Sequence, residues 1–325
     1  MGGAEMTAPL LDLSNLRVTL PTGDGPLEAV RGISFSIMRG ETLCLVGESG
    51  CGKSMTALSI MGLLPRRAKR QADRLVFDGI DLTKRGAIES LRGNRIGMIF
   101  QEPMTALNPA YTIGDQLTEA FIKHKKATAA AARERASYLL GKVGIASAGE
   151  RLGQYPHQLS GGLRQRVMIA MALMCEPDLL IADEPTTALD VTIQAQILRL
   201  LFELQKEFGI ALLLITHDMG VVAHVAHRVG VMYAGEVIES GTTDAILRQP
   251  RHPYTQGLLS CIPVPGRTLP GERLGVVPGV VPNLVGGLKG CGFRSRCGFA
   301  EAICADTPPR HDDHGHAWAC IRGAA

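Results

Sequence analysis

The sequence predicts an α/β protein with a mostly parallel sheet and helices packed on both sides of it. Three observations support this. Short apolar segments typical of buried strands alternate with helical segments, the composition is that of a globular α/β protein, and a chain of 325 residues is long enough to bury a large core. Hydrophobic residues make up 46% of the chain and charged residues 20%. This length allows one large domain or two modest ones.

The first hundred residues contain several segments typical of strands. Residues 11–20 and 33–38 alternate between polar and apolar side chains, and residues 41–46 and 95–100 are short apolar runs. Residues 55–64 have the composition and spacing of a helix. This part of the chain is therefore predicted to be rich in strands, with one helix.

The middle of the chain is mainly helical. Residues 112–143 are rich in alanine and predict helices, and residues 160–174 predict another, opened by a serine N-cap. Buried strands are predicted at residues 178–182 and 210–215, with a helix at residues 191–208 between them. The helical segment that begins near residue 102 and ends near residue 175 is therefore interpreted as an insertion in the α/β core.

The last part of the chain differs from the rest. Seven prolines between residues 249 and 282 predict irregular, linker-like structure. Four cysteines then crowd into the last 35 residues. We therefore expect a domain at residues 1–250, with a helical subdomain at about 102–175, and an extension at residues 251–325.

Charge and hydropathy exclude several classes of protein. A formal charge of +3 is too small and too dispersed for a nucleic-acid surface. No run of 18 apolar residues predicts a transmembrane helix. The first residues contain Glu5 and Asp12 and lack the pattern of a secretory signal. We expect a cytosolic chain that touches a membrane only through a partner.

Residues 47–54, Gly-Glu-Ser-Gly-Cys-Gly-Lys-Ser, match the phosphate-binding loop G-x-x-x-x-G-K-[ST]. Glycines let such a loop turn tightly and point successive backbone N–H groups at an anion. Lys53 can reach the β- and γ-phosphates, and Ser54 can offer its hydroxyl to Mg²⁺. The predicted strand before the loop and helix after it add a helix N-terminus to the site. The sequence therefore predicts binding of a nucleoside triphosphate.

The second functional element is a pair of acidic residues that follows the predicted strand at residues 178–182. Asp183 is placed to hold Mg²⁺, and Glu184 is placed to activate the attacking water. We expect this strand to lie next to the strand that precedes the phosphate loop. Together the two elements predict hydrolysis of the nucleotide as well as its binding.

Four further segments, in the order they occur, resemble elements of ATP-binding-cassette (ABC) proteins. Gln101 resembles the Q-loop glutamine, and residues 159–166, Leu-Ser-Gly-Gly-Leu-Arg-Gln-Arg, resemble the LSGGQ signature. Residues 188–190, Ala-Leu-Asp, resemble the D-loop, and His217 resembles the switch histidine. On these residues, about 11–250 are identified as an ABC ATPase, which implies a helical subdomain and an antiparallel β subdomain.

The resemblance implies a head-to-tail dimer that sandwiches two ATP molecules with Mg²⁺. It implies catalytic roles for Glu184, His217 and Gln101, with Ser54 and Gln101 also at the Mg²⁺. The expected ATP-binding residues are Gly47, Ser49, Gly50, Cys51, Gly52, Lys53, Ser54, Gln101, Ser160, Gly161, Gly162, Asp183 and Asp190.

Two departures from the ABC pattern stand out. Leu163 stands at the last position of the signature, where glutamine is the commonest residue, although an apolar residue is familiar there in the peptide-importer branch. Residues 11–32 also contain no aromatic side chain to stack on adenine, and Leu20 is a poorer substitute. The sequence therefore predicts no aromatic platform for the adenine base in this segment.

Several segments resemble oligopeptide and dipeptide importer ATPases, namely residues 101–109 (QEPMTALNP), 252–255 (HPYT) and 282–284 (PNL), together with the terminal cysteines. The resemblance implies a peripheral subunit on the cytoplasmic face of the inner membrane. Its implied partners are a second ATPase subunit, two transmembrane permeases and a substrate-binding protein, without nucleic acid. Nickel or glutathione as the solute, or a soluble ABC ATPase without a transport role, remain alternatives.

The terminal cysteines are Cys291, Cys297, Cys304 and Cys320, separated by five, six and fifteen residues. In a cytosolic protein such crowding favours metal ligation over disulfides. These spacings lack the C-x-x-C of a zinc ribbon. Resemblance to peptide-importer tails implies that all four hold one [4Fe–4S] cluster. A zinc site with His311, His314 or His316, and free cysteines, are the alternatives.

Overall fold

The computed structural model describes residues 8–187, 189–262 and 275–322, which form two compact units. The phosphate-loop unit comprises Leu11–Ser36, Thr42–Phe77 and the described chain from Ile215 onwards. The helical unit comprises Ile37–Glu41 and Asp78–Leu214, with residues 8–10. Each unit therefore draws on more than one stretch of the chain.

The phosphate-loop unit contains most of the strands. Its strands are β1 (Leu11–Thr22), β2 (Gly25–Ile37), β3 (Thr42–Val46), β4 (Lys69–Gln71), β5 (Arg74–Phe77), β10 (Arg228–Tyr233), β11 (Glu236–Thr242), β12 (Arg310–Asp313) and β13 (His316–Ala319). Its helices are α1 (Lys53–Met61), α8 (Met219–Val225), α9 (Thr243–Arg248) and α10 (Pro253–Ser260).

Two sets of paired strands organise this unit. β1 lies between β2 and β5 and pairs antiparallel with both β4 and β5, which confirms the expected antiparallel β element. The other set has the order β12-β13-β11-β10-β3, in which β3 and β10 run parallel. All five residues of β3 are buried, as its apolar sequence predicts. The phosphate loop therefore leaves the end of a strand that is fixed in the core.

The helical unit contains the predicted insertion. Its strands are β6 (Ile80–Asp81), β7 (Ile96–Ile99), β8 (Leu179–Asp183) and β9 (Ala211–Thr216), of which residues 211–214 belong here. Its helices are α2 (Pro103–Ala106), α3 (Ile113–Lys125), α4 (Ala129–Lys142), α5 (Ala148–Arg151), α6 (Gly161–Leu173) and α7 (Val191–Phe208).

Local chemistry accounts for the helix boundaries in this unit. Thr112 and Asp115 form a capping box at the start of α3, and Thr128 caps α4 through the N–H of Ala131. The predicted helices at residues 112–143, 160–174 and 191–208 are all present. The domain boundaries at residues 250 and 102–175 remain predictions, because the two units divide the chain along different lines.

One prediction about strand order is wrong. β8, which ends in Asp183, pairs in parallel with β7, and its other neighbour is β9. The strand that precedes the phosphate loop, β3, is not its neighbour. Strand order in a sheet is set by long-range pairing, which apolar composition does not encode.

The prediction of an irregular tail is also wrong in part. α10 forms at Pro253–Ser260, since proline at the first helical position loses no hydrogen bond and His252 caps the helix by accepting the N–H of Tyr254. β12 and β13 form an antiparallel pair, and β13 adds to β11. Residues 263–274, which carry three of the prolines, lie outside the described residues.

None of the helices in the described part of the chain combines the length and the apolar character needed to cross a lipid bilayer.

Candidate nucleotide site and cysteine cavity

The phosphate loop connects β3 to α1, as predicted. Gly52 stands at the N-cap of α1 with φ +102°, a conformation that favours glycine. A Cβ atom at Gly52 would also lie 2.4 Å from the carbonyl oxygen of Ala29. At Gly47 a Cβ atom would lie 2.2 Å from the carbonyl oxygen of Met232. The two glycines are therefore required by close backbone contacts as well as by the turn.

The side chain of Lys53 closes the loop on itself. Lys53 is 4% exposed, and its Nζ donates to the carbonyl oxygens of Gly47 at 2.8 Å and Glu48 at 3.0 Å. Its Nζ also lies 3.8 Å from the Sγ of Cys51. Burial raises the pKa of the Cys51 thiol, so this side chain is a neutral packing residue of the loop. Within the loop, Ser49 and Gly50 are exposed, and Ser54 is half-buried.

The carboxylate pair lies in the helical unit, at the end of β8. Asp183 is buried, and Glu184 has φ +44°, a strained value for a residue with a side chain. The carboxylate of Glu184 accepts hydrogen bonds from the Nε2 of Gln101 at 3.3 Å and the hydroxyl of Thr187 at 3.0 Å. The structure therefore brings together two residues that were predicted separately, Gln101 and Glu184.

The signature residues open α6 in the same unit. Ser160 occupies the N-cap position, but its side chain makes no capping hydrogen bond, in contrast to the expected serine cap. Gly162 faces Ile193 of α7, where a Cβ atom would lie 3.2 Å from the Cγ2 of Ile193. The buried side chain of Gln165 donates to the carbonyl oxygen of Pro185 at 2.6 Å, which ties α6 to the segment after the carboxylate pair.

The remaining residues predicted to contact the nucleotide lie in three separate parts of the chain. Asp190 caps α7 by accepting the N–H of Ile193 at 2.9 Å, while Ala188 of the predicted D-loop lies outside the described residues. His217 is exposed and follows β9. Leu20, the expected substitute for an adenine-stacking aromatic, is half-buried in β1. The roles of these side chains toward a nucleotide remain predictions.

The four terminal cysteines line one small, partly open cavity of about 20 Å³ in the phosphate-loop unit. Burial raises the pKa of Cys291 and Cys320, and the neighbouring cysteines add to this effect. Each sulfur accepts a hydrogen bond from a backbone N–H: Cys291 from Phe293, Cys297 from Phe299 at 3.4 Å, Cys304 from Glu301 at 3.5 Å and Cys320 from Arg322 at 3.5 Å.

His252, which belongs to the importer-like segment at residues 252–255 and was not predicted as a ligand, also lines this cavity. It is 1% exposed, and its Nδ1 accepts the N–H of Tyr254 at 3.0 Å, so the neutral ring carries its proton on Nε2. The Nε2 has no hydrogen-bond partner among the described residues. Burial lowers the pKa of His252 to about 4. A buried N–H donor without a partner among the described residues therefore belongs to a side chain that lines the same cavity as the four cysteines.

Of the three histidines in the zinc alternative, two contact other groups and the third is exposed. The Nε2 of His311 lies 3.0 Å from the carbonyl oxygen of Cys320, and the Nε2 of His316 lies 2.8 Å from the carboxylate of Glu239. His314 is fully exposed in the turn between β12 and β13. Among the described residues, no group of three or more His, Cys, Asp or Glu side chains is arranged to hold a single metal ion. The expected iron–sulfur cluster is therefore not confirmed.

A second cavity, of about 690 Å³, lies in the helical unit beside the segment at residues 101–109. Gln116 organises its wall, since its side chain accepts the N–H of Asn108 and donates to the carbonyl oxygens of Asn108 and Tyr111. Tyr111 is 57% exposed. The lining residues are Ala106, Asn108, Tyr111, Asp115, Gln116, Glu119 and Met171.

Comparison with known proteins agrees with this geometry. Residues 30–187 match the ABC transporter family, and residues 238–304 match the family described as "Oligopeptide/dipeptide transporter, C-terminal region". The dipeptide transport ATP-binding protein DppD of Bacillus subtilis (strain 168) is 53% identical over 312 residues, covering 94% of this chain and 92% of that protein. The chain belongs to the ABC transporter ATP-binding proteins.

Other relatives of this ABC protein extend the comparison. The oligopeptide transport ATP-binding protein OppD of Bacillus subtilis (strain 168) is 48% identical, over 92% of this chain and 84% of that protein. The dimeric ATP-binding cassette MJ0796 bound to ADP and Pi superposes with a TM-score of 0.64 and 28% identity, over 72% of this chain and 98% of that one. The predicted ABC cassette fold and ATP-hydrolysing activity are confirmed at the level of the family.

Proposed function

We propose that this ABC subunit hydrolyses ATP to drive the uptake of dipeptides and oligopeptides. The observation that carries the proposal is that one chain matches both the ABC cassette and the C-terminal region of oligopeptide/dipeptide transporters. Relatives named as dipeptide and oligopeptide transport ATP-binding proteins, aligned along more than nine-tenths of the chain, support it.

In this proposal the residues divide the work of hydrolysis. The loop backbone and Lys53 bind the phosphates, and Ser54 offers its hydroxyl to Mg²⁺, with Gln101 and Asp183 as further residues for the cation. Glu184 accepts the proton of the attacking water as general base. The hydrogen bond from Gln101 orients the Glu184 carboxylate, which supports a shared role for the pair.

A second ATPase subunit, identical or different, completes each nucleotide site. The N–H groups at the start of α6, with Ser160, Gly161 and Gly162, would bind the nucleotide held by the partner, because a helix N-terminus attracts phosphate. The absence of a side-chain cap at Ser160 leaves these first N–H groups to a ligand. His217 is proposed to contact the γ-phosphate, and Asp190 to lie near the dimer contact.

The cavity of the helical unit supports a membrane partner. Its exposed Tyr111 and the polar side chains of Asp115 and Glu119 surround a space large enough for one turn of a helix. We propose that a cytoplasmic helix of a permease docks there, so that two permeases hold two ATPase subunits at the cytoplasmic face of the inner membrane. ATP would then shift the assembly between two states, and a separate binding protein would deliver the peptide.

We also propose that Cys291, Cys297, Cys304 and Cys320 hold one [4Fe–4S] cluster. The support is the donor set: four thiols on one small cavity, each sulfur already accepting a backbone N–H, as cluster sulfurs in proteins do. The unpartnered Nε2–H of His252 offers a further donor to an anionic sulfur. A bound cluster would cross-link the segments of the extension that carry these four cysteines.

The variant Glu184→Gln tests the proposed function. Loss of the general base should slow ATP hydrolysis by about 10²–10⁴-fold while Mg-ATP binding persists. Glu89→Gln, on an exposed glutamate of the same unit, is the matched control. ATP hydrolysis is measured as phosphate release, and transport is measured as uptake of a labelled dipeptide, both in vesicles that contain the permeases. If Glu184→Gln hydrolyses ATP at a rate near that of the wild type, Glu184 is not the general base. If vesicles with the wild-type protein hydrolyse ATP but take up no dipeptide, the import assignment is overturned.

A further inference from the structure

The second residue of the phosphate loop, Glu48, is held by the C-terminal part of the chain. Its backbone N–H donates to the hydroxyl of Tyr254 at 2.9 Å. Its carboxylate accepts two hydrogen bonds from the guanidinium of Arg296, at 2.7 and 3.0 Å. All three residues belong to the phosphate-loop unit. Two residues more than 200 positions away in the chain therefore fix this loop residue, Tyr254 at its backbone and Arg296 at its side chain.

A carboxylate in a loop that binds a triphosphate is electrostatically unfavourable. The ligand brings several negative charges to the loop, and like charges repel more strongly where protein replaces water. The Glu48 carboxylate is only partly exposed, at 28% of its side chain. A cation bound directly to Glu48 removes most of this repulsion, and Arg296 is that cation.

Arg296 is built as a fixed partner. Its side chain is 4% exposed, and its other donors reach the carbonyl oxygens of Pro278 at 2.6 Å and Val277 at 2.9 Å. It also lies 3.3 Å from the hydroxyl of Tyr233. The hydrogen bonds to Glu48 raise the pKa of Arg296 further above its ordinary value. With its donors all engaged, the guanidinium has one position and one charge state.

The turn that carries Arg296 is bounded by two cysteines of the cavity. It runs from Cys291 to Cys297 through a short 3₁₀ segment at Arg294–Arg296. Phe293 of this turn packs against the rings of Tyr233 and Tyr254, with centroids 5.3 Å apart in both cases. The cysteine cavity and the phosphate loop therefore share one rigid connection.

We propose that Arg296 is a positioning residue for ATP binding: by pairing with Glu48, it neutralises and orients the phosphate loop, so that the C-terminal extension sets the affinity for the triphosphate. The inference goes beyond the proposed peptide import and rests on nucleotide binding by the loop.

The test is a charge rescue in the full-length chain. Arg296→Met leaves a carboxylate without its cation in the phosphate loop and should raise the Kd for Mg-ATP by about tenfold or more. Glu48→Gln added to the same chain should recover most of that loss, because the repelling charge is gone. Arg296→Lys keeps the charge but loses the two-pronged geometry, so its Kd should rise less. The control is Arg310→Met, on an exposed arginine of β12.

Calorimetric titration gives the Kd, and thermal unfolding without nucleotide gives stability separately. A lower unfolding midpoint with an unchanged Kd would show a merely structural arginine and overturn the proposal. A raised Kd that Glu48→Gln does not recover would overturn the electrostatic argument. If Arg296→Met does not fold, the neutral polar variant Arg296→Gln, alone and with Glu48→Gln, gives the same comparison. A wild-type chain that does not bind Mg-ATP would instead refute the nucleotide site itself.

Discussion

The phosphate loop and the cysteine cavity lie in the same unit, yet they are built in opposite ways. The loop is made by eight consecutive residues, 47–54, which follow β3 and include the first two residues of α1. The cavity gathers side chains from the start of α10, from the 3₁₀ segments at Arg294–Arg296 and Ala302–Ala305 and the residues beside them, and from the end of β13, a span of about seventy residues. The first is a local structure, and the second exists only because distant segments pack together.

The difference has a physical basis. The loop binds an anion mainly through backbone N–H groups, which adjacent residues present automatically once the glycines allow the turn. The cavity depends on side chains from separate turns, and a displacement of one turn moves its sulfur away from the other three. Loss of a side chain that binds phosphate should therefore act mainly on nucleotide binding, whereas loss of a cavity cysteine should act mainly on the extension.

The largest effect is expected from Cys304→Ser, which removes one of the four proposed ligands. Wild-type protein purified without oxygen should contain about four irons per chain, and the variant should lose nearly all of them. Cys261→Ser, on a half-buried cysteine outside the cavity, is the control and should keep its iron. Iron and zinc are measured by elemental analysis together with the visible absorption spectrum. Stoichiometric zinc in the wild type, or no metal at all, would contradict the cluster.

A smaller effect, confined to the nucleotide, is expected from Lys53→Ala. Loss of a charged hydrogen-bond donor to phosphate should weaken Mg-ATP binding by about 10- to 100-fold. Lys84→Ala, on an exposed lysine, serves as the matched control. The Kd is measured by calorimetry and the iron content in parallel. An unchanged Kd would remove the phosphate role of Lys53, and lost iron would show that the two sites are not independent.

The smallest effect is expected from Gly52→Ala, compared with Gly86→Ala. Both glycines have positive φ, +102° and +86°, so alanine should cost each variant about 1 kcal/mol of conformational strain. Only at Gly52 does the added Cβ also meet a backbone oxygen, so that variant should lose about 1–2 kcal/mol more. Thermal unfolding midpoints of the two variants measure the difference. Equal midpoints would show that the loop tolerates a shift at Ala29.

The candidate nucleotide residues were predictable because each belongs to a short motif at the end of a buried strand or the start of a helix. The same patterns could not predict that β8 lies beside β7 and β9, since strand order is decided by pairing over long distances. Nor could they predict that Glu184 adopts φ +44° and shares its carboxylate with Gln101. Backbone strain and side-chain pairing depend on atoms from separate elements.

The cysteines show the same limit from the other side. Their crowding in the chain indicated ligation, but the histidines between Cys304 and Cys320 offered an alternative set of ligands. The structure pairs His311 with a backbone carbonyl and His316 with Glu239, and it places His252, which precedes all four cysteines in the chain, at the cavity instead. Only packing decides which of several nearby donors faces a given space.

By itself, the sequence determined that this is an α/β ATPase with a phosphate loop, a carboxylate pair and an ABC signature, because those properties follow from residues adjacent in the chain. The tertiary structure alone decided that Arg296 neutralises Glu48 and that four cysteines share one cavity with His252. Those contacts depend on the folded path between distant segments, and their strength comes from the burial that brings them together.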